Sequence, residues 1–199
     1  MTARTGNRRA GQYSPELNRT DVLAARRSDT MPETALKHQL RKPNKQDGAA
    51  VWELIKKAGT LDLNSAYCYI LLCDMYGDTC LVAEHEGRVV GFVSALRPPD
   101  TEDRLFIWQI AVDPAERGKG LGRTMLEKLL VDAREEGPVR SIEATISPSN
   151  TASLRLFKAL ARSLGCTVGM SEQQGYPAGL FPKGQQHESE PLVVIGPLY

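Results

Sequence analysis

The chain lacks the compositional features that mark several large classes of protein. Its 199 residues carry 25 Lys and Arg against 24 Asp and Glu, a net charge of +1 that gives no bulk attraction to nucleic acid or to a membrane surface. No apolar run is long enough to span a bilayer, and no apolar segment follows the basic N-terminus as a signal peptide requires. We therefore expect a cytoplasmic protein that has neither nucleic acid nor a membrane as a partner.

Cysteine is too sparse and too irregularly spaced to predict a metal centre or a redox motif. None of the spacings among the four cysteines matches a zinc-ligand pair or a Cys-x-x-Cys pair. Small apolar core residues in a reducing compartment are the ordinary interpretation of such cysteines. We predict no metal site for the set Cys68, Cys73, Cys80 and Cys166.

The chain divides into a polar N-terminal stretch and one folded domain. Residues 1–37 are rich in arginine and show no sustained periodicity, which predicts a disordered extension. Residues 38–199 are long enough to bury a proper core. In this region helical patterns are interspersed with hairpin patterns. This order predicts an α/β domain with a mixed, mostly antiparallel twisted sheet flanked by helices.

The local signals place several element ends. Asn44 is predicted to cap a first helix that Gly59 ends, and Asn64 or Ser65 to cap a second helix on which Tyr67 faces inward. The sequence further predicts a short strand at 166–170, a loop from 171 to about 190, and a last strand at 192–195.

The most informative stretch is a buried-strand pattern at 104–112 that Asp113 and Pro114 terminate. Glycines at 118, 120 and 122 follow, and a helical pattern begins after them. Such a loop exposes backbone N–H groups at the positive end of a helix, which favours binding of a phosphate or pyrophosphate. The spacing does not match the P-loop pattern, and no acidic ribose ligand follows as in a dinucleotide fold.

The spacing Arg117-x-x-Gly120-x-Gly122, with the strand before it and the helix after it, resembles the acyl-coenzyme A loop of the GNAT N-acetyltransferases. The resemblance implies acetyl-CoA as co-substrate, with its pyrophosphate in the loop and its pantetheine arm in a gap beside the central strand. The residues that it implies for cofactor binding are Ile110, Ala111, Val112, Arg117, Gly118, Lys119, Gly120, Leu121, Gly122, Arg123, Asn150 and Ser153.

Two positions after the next strand bear on the chemistry. Asn150 stands where the family commonly places an asparagine near the pantetheine, and it is also a good helix N-cap. Phe157 stands where the family often has a tyrosine that protonates the leaving thiolate, and a phenyl ring has no proton to give. Water or Tyr176 then remains for this role, or protonation follows departure. No nucleophile motif is present, so direct attack by the amine is expected.

Within the family, three segments resemble the L-2,4-diaminobutyrate acetyltransferases, which acetylate the 4-amino group on the route to the compatible solute ectoine. The segments are 61–69, 108–114 and 187–190. The resemblance implies a homodimer and an acceptor site. Its substrate-binding residues would be Asp62, Tyr67, Trp108, His187 and Glu190, and its catalytic residues Glu190, Asp62 and His187.

Elementary chemistry agrees with such an acceptor site. Carboxylates bind ammonium groups, and the attacking amine must lose a proton, for which Glu190 is the first candidate base and Asp62 the second. Trp108 can cover a cationic chain, although most strand tryptophans are core residues. Arg97, Arg104 or backbone amides would bind the substrate carboxylate. The alternatives are another small amine as acceptor, namely a polyamine or a basic amino acid, and an acyl-CoA-binding module without catalysis.

Overall fold

The structure, a computed structural model, describes residues 37–184 and 187–199. The predicted N-terminal extension therefore lies outside the described residues except for its last position. Within the part of the chain that is described, no helix combines the length and the apolar character needed to cross a membrane.

Seven strands of the described residues form one sheet in the order β1-β2-β3-β4-β5-β7-β6. All neighbouring strands are antiparallel except β4 and β5, which are parallel. The predicted fold class is thereby confirmed. The strands are β1 Gln39–Arg41, β2 Cys80–His85, β3 Arg88–Leu96, β4 Arg104–Val112, β5 Ser141–Thr145, β6 Thr167–Tyr176 and β7 Glu190–Gly196.

Four helices of the described residues flank the sheet: α1 Gly48–Ala58, α2 Ala66–Met75, α3 Leu121–Glu136 and α4 Thr151–Ser163. The predicted ends are confirmed. Asn44 and Asp47 form a capping box around a 3₁₀ turn that leads into α1, and α1 ends at Gly59. Ser65, rather than Asn64, caps α2 by accepting a hydrogen bond from the Cys68 amide.

The prediction that Tyr67 faces inward is wrong. The buried positions of α2 are Tyr69, Leu72 and Cys73, which share one face at helical spacing. Tyr67 lies two residues before this face starts, on the other side of the helix, and is 66% exposed.

The sheet has a hydrophobic core on each face, because alternate residues of a strand point to opposite sides. Leu81 and Ala83 of β2 pack into the core that α3 and α4 cover. Cys80 and Val82 pack into the core that α1 and α2 cover. The strands thus separate two layers of helices.

The predicted ends of the last two strands are also corrected. β6 continues to Tyr176 rather than stopping at residue 170, with an irregular register after Ser171, and β7 begins at Glu190 rather than at residue 192. The predicted long loop is therefore reduced to residues 177–189. Glu190 consequently belongs to a strand, where Tyr176 is its cross-strand neighbour.

Candidate active site

Strands β4 and β5 separate after a short paired region, as the resemblance implies. Their register runs from Arg104 opposite Ser141 to Phe106 opposite Glu143, and no pair follows among the described residues. The other edge of β4 stays paired with β3 as far as Val112. The backbone groups of residues 107–112 that face β5 are therefore not used in the ladder, and this stretch contains Ile110, Ala111 and Val112.

The loop after β4 has the conformation of an anion-binding turn. Gly118 and Gly120 have φ angles of 75° and 82°, a left-handed region that favours glycine, and a Cβ at either residue would meet no neighbouring atom. Gly120 is the N-cap residue of α3, and no side chain caps this end of the helix. The first N–H groups of a helix have no intrahelical acceptor, so the amides of Leu121, Gly122 and Arg123 suit a phosphate group.

The basic side chains around this loop have partners in the protein. Arg117 donates from Nη2 to the Ala58 carbonyl at 2.8 Å and from Nε to the Val112 carbonyl at 3.2 Å. It therefore ties the end of α1 to the end of β4. Arg123 lies 3.6 Å from Glu127. These contacts make Arg117 a structural brace in addition to a nearby positive charge.

Lys119 belongs to a polar chain that reaches the edge of the sheet. Its Nζ lies 3.1 Å from Glu116 Oε2, and the buried His38 Nε2 lies 3.0 Å from the same oxygen. Lys119 and His38 together lower the pKa of the Glu116 carboxyl. The carboxylate thus connects the glycine loop to the residue that precedes β1.

Asn150 caps α4, because its Oδ1 accepts a hydrogen bond from the Ser153 amide at 3.1 Å. The same residue lines the cavity described below, so its two predicted positions are compatible. Phe157, on the same helix, is only 2% exposed and packs in the core beneath α3 and α4.

A β-bulge in β4 aims two consecutive side chains at one face of the sheet. Ser94 of β3 pairs with Gln109, and the next residue, Ala95, pairs with Ile107, so Trp108 is the extra residue. Trp108 is 40% exposed, which excludes the core interpretation. Both Trp108 and Gln109 line one cavity as a result.

This cavity has a volume of about 900 Å³ and lies where β4 and β5 separate. Its walls come from five places in the chain: the α1–α2 connection, Leu96 at the end of β3, the bulged strand, the end of β5 with the residues that follow it, and the connection between β6 and β7 with the strand ends beside it. The charged or titratable residues among them are Asp62, Tyr176, His187, Glu188 and Glu190.

His187 joins the two predicted carboxylates. Its Nε2 lies 3.5 Å from Asp62 Oδ2 and 3.9 Å from Glu190 Oε1. The ring stacks on Phe181 with centroids 3.5 Å apart and planes at 9°. On its other side Glu190 accepts a hydrogen bond from Thr145 Oγ1 at 2.7 Å. The cluster therefore connects the α1–α2 loop to strands β7 and β5.

The surroundings of His187 favour its protonated form. Its Nδ1 donates to the backbone carbonyl of Glu188 at 2.7 Å, which is the largest cause of a raised pKa, and Asp62 and Glu190 add to it. Since the carboxylate of Asp62 is 88% exposed, much of that attraction is screened by solvent. When protonated, the imidazole places a positive charge between two carboxylates.

Gly175 of β6 allows the close backbone approach that fixes the position of Glu190. A Cβ on Gly175 would overlap the Glu190 backbone carbonyl, and it would also lie 2.7 Å from the Cα of Pro191. Only a residue without a side chain allows β6 to approach the start of β7 this closely. The irregular stretch of β6 that contains Gly175 therefore helps to position Glu190 in the cavity.

The two arginines expected to bind a substrate carboxylate have other partners. Arg97 donates to backbone carbonyls of residues 102, 133, 137 and 138, which fastens the end of α3. Arg104 contacts Thr101, Asp100 and Glu143. Neither lines the cavity. Backbone amides and His187 are what the described site offers to a carboxylate.

The structure thus brings Asp62, Trp108, His187, Glu190 and Asn150 to one cavity and leaves Tyr67 outside its walls. Asp62 does not cap α2, since Ser65 does. Thr145, Phe181 and Gln109 also line the cavity, and no pattern in the sequence predicted them as site residues. A signal existed for Gln109, a polar residue within an apolar strand pattern. The described residues contain no group of three or more His, Cys, Asp or Glu side chains arranged to hold a metal ion.

Comparison with known proteins defines the class. Residues 49–161, more than half of the chain, match the acetyltransferase (GNAT) family. The chain belongs to this family of acetyltransferases, in agreement with the splayed strands and the glycine loop.

Three similar proteins within the family carry the name of diaminobutyrate acetyltransferase. It is 49% identical over 158 residues to the L-2,4-diaminobutyric acid acetyltransferase of Virgibacillus pantothenticus, covering 78% of this chain and 96% of the relative. Identity to the enzyme of the same name from Halalkalibacterium halodurans is 46% over 159 residues, covering 79% and 81%. The solved structure of the diaminobutyrate acetyltransferase from Paenibacillus lautus, in complex with its substrate L-2,4-diaminobutyric acid and coenzyme A, is 47% identical. It has a TM-score of 0.76 and covers 81% of this chain and 96% of that one.

Proposed function

We propose that this protein transfers the acetyl group of acetyl-CoA to the 4-amino group of L-2,4-diaminobutyrate. The products are N4-acetyl-L-2,4-diaminobutyrate and coenzyme A. The fold, the family and the relatives support acetyl transfer to diaminobutyrate, and the choice of the 4-amino group extends the proposal.

The observation that carries the proposal is the charge of the cavity. The described residues that line it include three carboxylates, from Asp62, Glu188 and Glu190, and neither lysine nor arginine. Such a wall attracts a substrate with ammonium groups. His187 is the one histidine among the described residues that line the cavity, and its imidazole N–H suits the single carboxylate of a diamino acid.

Glu190 is our choice for the general base. It is only 27% exposed, and the hydrogen bond from Thr145 orients its carboxylate. Glu190 takes a proton from the ammonium group of the acceptor, and the neutral amine attacks directly. Asp62 holds the other ammonium group. Trp108 covers the aliphatic chain, where cation–π attraction adds about 0.5–2 kcal/mol.

Acetyl-CoA, when bound, supplies the activated acetyl thioester. The residues proposed to hold it fit that role: the uncapped start of α3 and the open glycine loop suit a pyrophosphate, and the unpaired edge of β4 suits the pantetheine amides. Phe157 is buried and lacks an acidic proton. The proton for the leaving thiolate then comes from Tyr176, which lines the cavity, or from water.

Three finer points belong to the same proposal. The product would feed ectoine synthesis under osmotic stress, as the resemblance implies. All four cysteines are free thiols, which agrees with a reducing cytoplasm. The exposed side chains of Tyr67, Met75 and Tyr76 on and beside α2 would suit a homodimer contact, which light scattering of the purified protein would test.

The experiment is acetyl-CoA turnover with L-2,4-diaminobutyrate, followed by NMR of the product. We expect acetylation at the 4-amino group, with putrescine and lysine as much poorer substrates. Preference for putrescine would favour a polyamine acetyltransferase, since putrescine has no carboxylate. Coenzyme binding without turnover of any amine would contradict the enzymatic proposal.

A further inference from the structure

Gln109 is buried in the wall of the acceptor cavity, and the mechanism above gives it no role. It is 5% exposed and follows Trp108, the extra residue of the β4 bulge. The bulge changes the phase of the strand: Leu105 and Ile107 point to the α3–α4 core before it, whereas Ala111 after it points to the α1–α2 core. Gln109 therefore faces the connection between α1 and α2.

The side chain of Gln109 contacts the residue that the proposed function needs. Its Nε2 donates to the backbone carbonyl of Asp62 at 3.0 Å, across 47 positions of the chain. A carbonyl only accepts hydrogen bonds, so the amide nitrogen must face Asp62 and the oxygen must face away. The same amide thus joins the strand that carries Trp108 to the loop that carries Asp62.

The loop at 60–65 depends on such side chains because it has no regular structure of its own. Trp52 Nε1 donates to the Asn64 carbonyl at 3.1 Å, and the Asn64 amide donates to Tyr69 Oη at 3.3 Å. Both contacts hold residue 64. Within the described residues, Gln109 is the one side chain that hydrogen-bonds to the backbone of Asp62.

The hydrogen bond to Asp62 is the one that the Gln109 side chain makes with the described part of the protein. No protein group in the described part of the chain donates to Gln109 Oε1, which is fully buried. A buried acceptor without a donor costs free energy of folding, and an apolar side chain of the same shape avoids that cost. The one bond that the amide makes orients Asp62.

We propose that Gln109 is a positioning residue for the acceptor amine: it sets the distance between the Asp62 carboxylate and the Trp108 ring by fastening the Asp62 loop to the bulged strand. This inference rests on the proposed function, in which Asp62 holds one ammonium group. Misplacing such a group by about 1 Å costs on the order of 100-fold in rate.

The test replaces Gln109 by Met, with Gln109→Leu as a second variant should the first fold poorly. Both remove the donor and the orphaned acceptor together. We expect kcat/KM for diaminobutyrate to fall by about 10- to 100-fold, mainly through a higher KM for that substrate. The KM for acetyl-CoA and the Tm are expected to stay near those of the unaltered protein, with Tm within about 3 °C or higher.

Ser94→Ala is the matched control. Ser94 is the cross-strand neighbour of Gln109, and its Oγ is likewise buried and makes no hydrogen bond within the described residues, to the Asp62 loop or elsewhere. We expect unchanged kinetics for this variant. A purely structural role for Gln109 predicts the opposite pattern in Q109M, with a lowered Tm and unchanged kcat/KM, and that result would overturn the proposal.

Hydrogen exchange tests the positioning role of Gln109 separately from the proposed function. Amides of residues 60–65 are expected to exchange faster in Q109M than in S94A, whether or not any amine is acetylated. If the unaltered protein fails to acetylate diaminobutyrate, the proposed function fails while this loop measurement still stands. If exchange at 60–65 is the same in both variants, the positioning role is refuted.

Discussion

Replacing Glu190 by Gln tests the proton transfer directly. The amide keeps the size of the carboxylate and can still accept the hydrogen bond of Thr145 Oγ1, which lies 2.7 Å from Glu190 Oε2. It carries no charge and is not a base at neutral pH. The cavity therefore keeps its shape and loses one of its carboxylates.

The magnitude follows from the protonation of the acceptor. An alkyl amine with a pKa near ~10.4 is neutral in about one molecule in a thousand near pH ~7.4. General bases contribute about 10²- to 10⁴-fold. We expect kcat of E190Q to fall by about 100- to 1000-fold near pH ~7.4 and to recover about tenfold per pH unit above it, as solvent takes over deprotonation. The KM for acetyl-CoA should not change, because none of residues 117–122 lines the cavity.

The assay follows coenzyme A release from about pH 6.5 to about pH 9.5 at saturating acetyl-CoA, with Thr145→Val as the control. That control loses the hydroxyl but keeps the carboxylate of Glu190, so we expect a loss below about tenfold and an unaltered profile shape. A normal kcat in E190Q would refute the role of Glu190. A lowered kcat that does not rise with pH would mean that Glu190 binds the substrate without deprotonating it.

Three further variants test other parts of the site. In Asp62→Asn the pKa of His187 should fall, because a carboxylate that favours the imidazolium is gone while the Glu188 carbonyl remains. NMR titration of the imidazole measures this pKa, and an unchanged value would contradict the contact between His187 and Asp62. Gly120→Ala places a side chain at a φ of 82°, which costs about 1–2 kcal/mol. This variant should raise the KM for acetyl-CoA by about 5- to 30-fold and leave the KM for diaminobutyrate unchanged. Equal effects on both KM values would show general unfolding instead. Phe157→Tyr buries a hydroxyl in the core and should lower the free energy of unfolding in urea by about 1–3 kcal/mol without raising kcat; a higher kcat would show that this ring reaches the leaving sulfur.

Much of the fold was predictable because its signals are local. Asn44 and Asp47 are close enough in sequence to form a capping box, and Glu86-Gly87 predicts a two-residue hairpin turn. Both turn residues have positive φ angles in the structure, 50° and 73°. The glycine loop after β4 could be located for the same reason, since its spacing and its helix are contiguous.

The parts that escaped prediction depend on pairing between distant segments. The extension of β7 to Glu190 needs β6 as a neighbour, and β6 itself was interrupted in the sequence by polar residues and Gly175. The partners of Arg97 are equally non-local, since a long cation can reach many acceptors and the sequence does not select among them. Tyr67 was misplaced because aromatic residues occur on both sides of the short α2 pattern.

The central strand explains why the site could be approached from the sequence but not completed from it. Its open edge from residue 107 onward follows from the brief pairing of β4 with β5, and its bulge follows from the register against β3. The first feature offers backbone groups to a coenzyme arm, and the second aims Trp108 and Gln109 into the acceptor cavity. A shift of one residue in the β3–β4 register would turn these side chains towards the opposite core. The acceptor site therefore depends on β3, a strand that contributes mainly its pairing, and substitutions that alter the bulge should impair the use of diaminobutyrate before they impair folding.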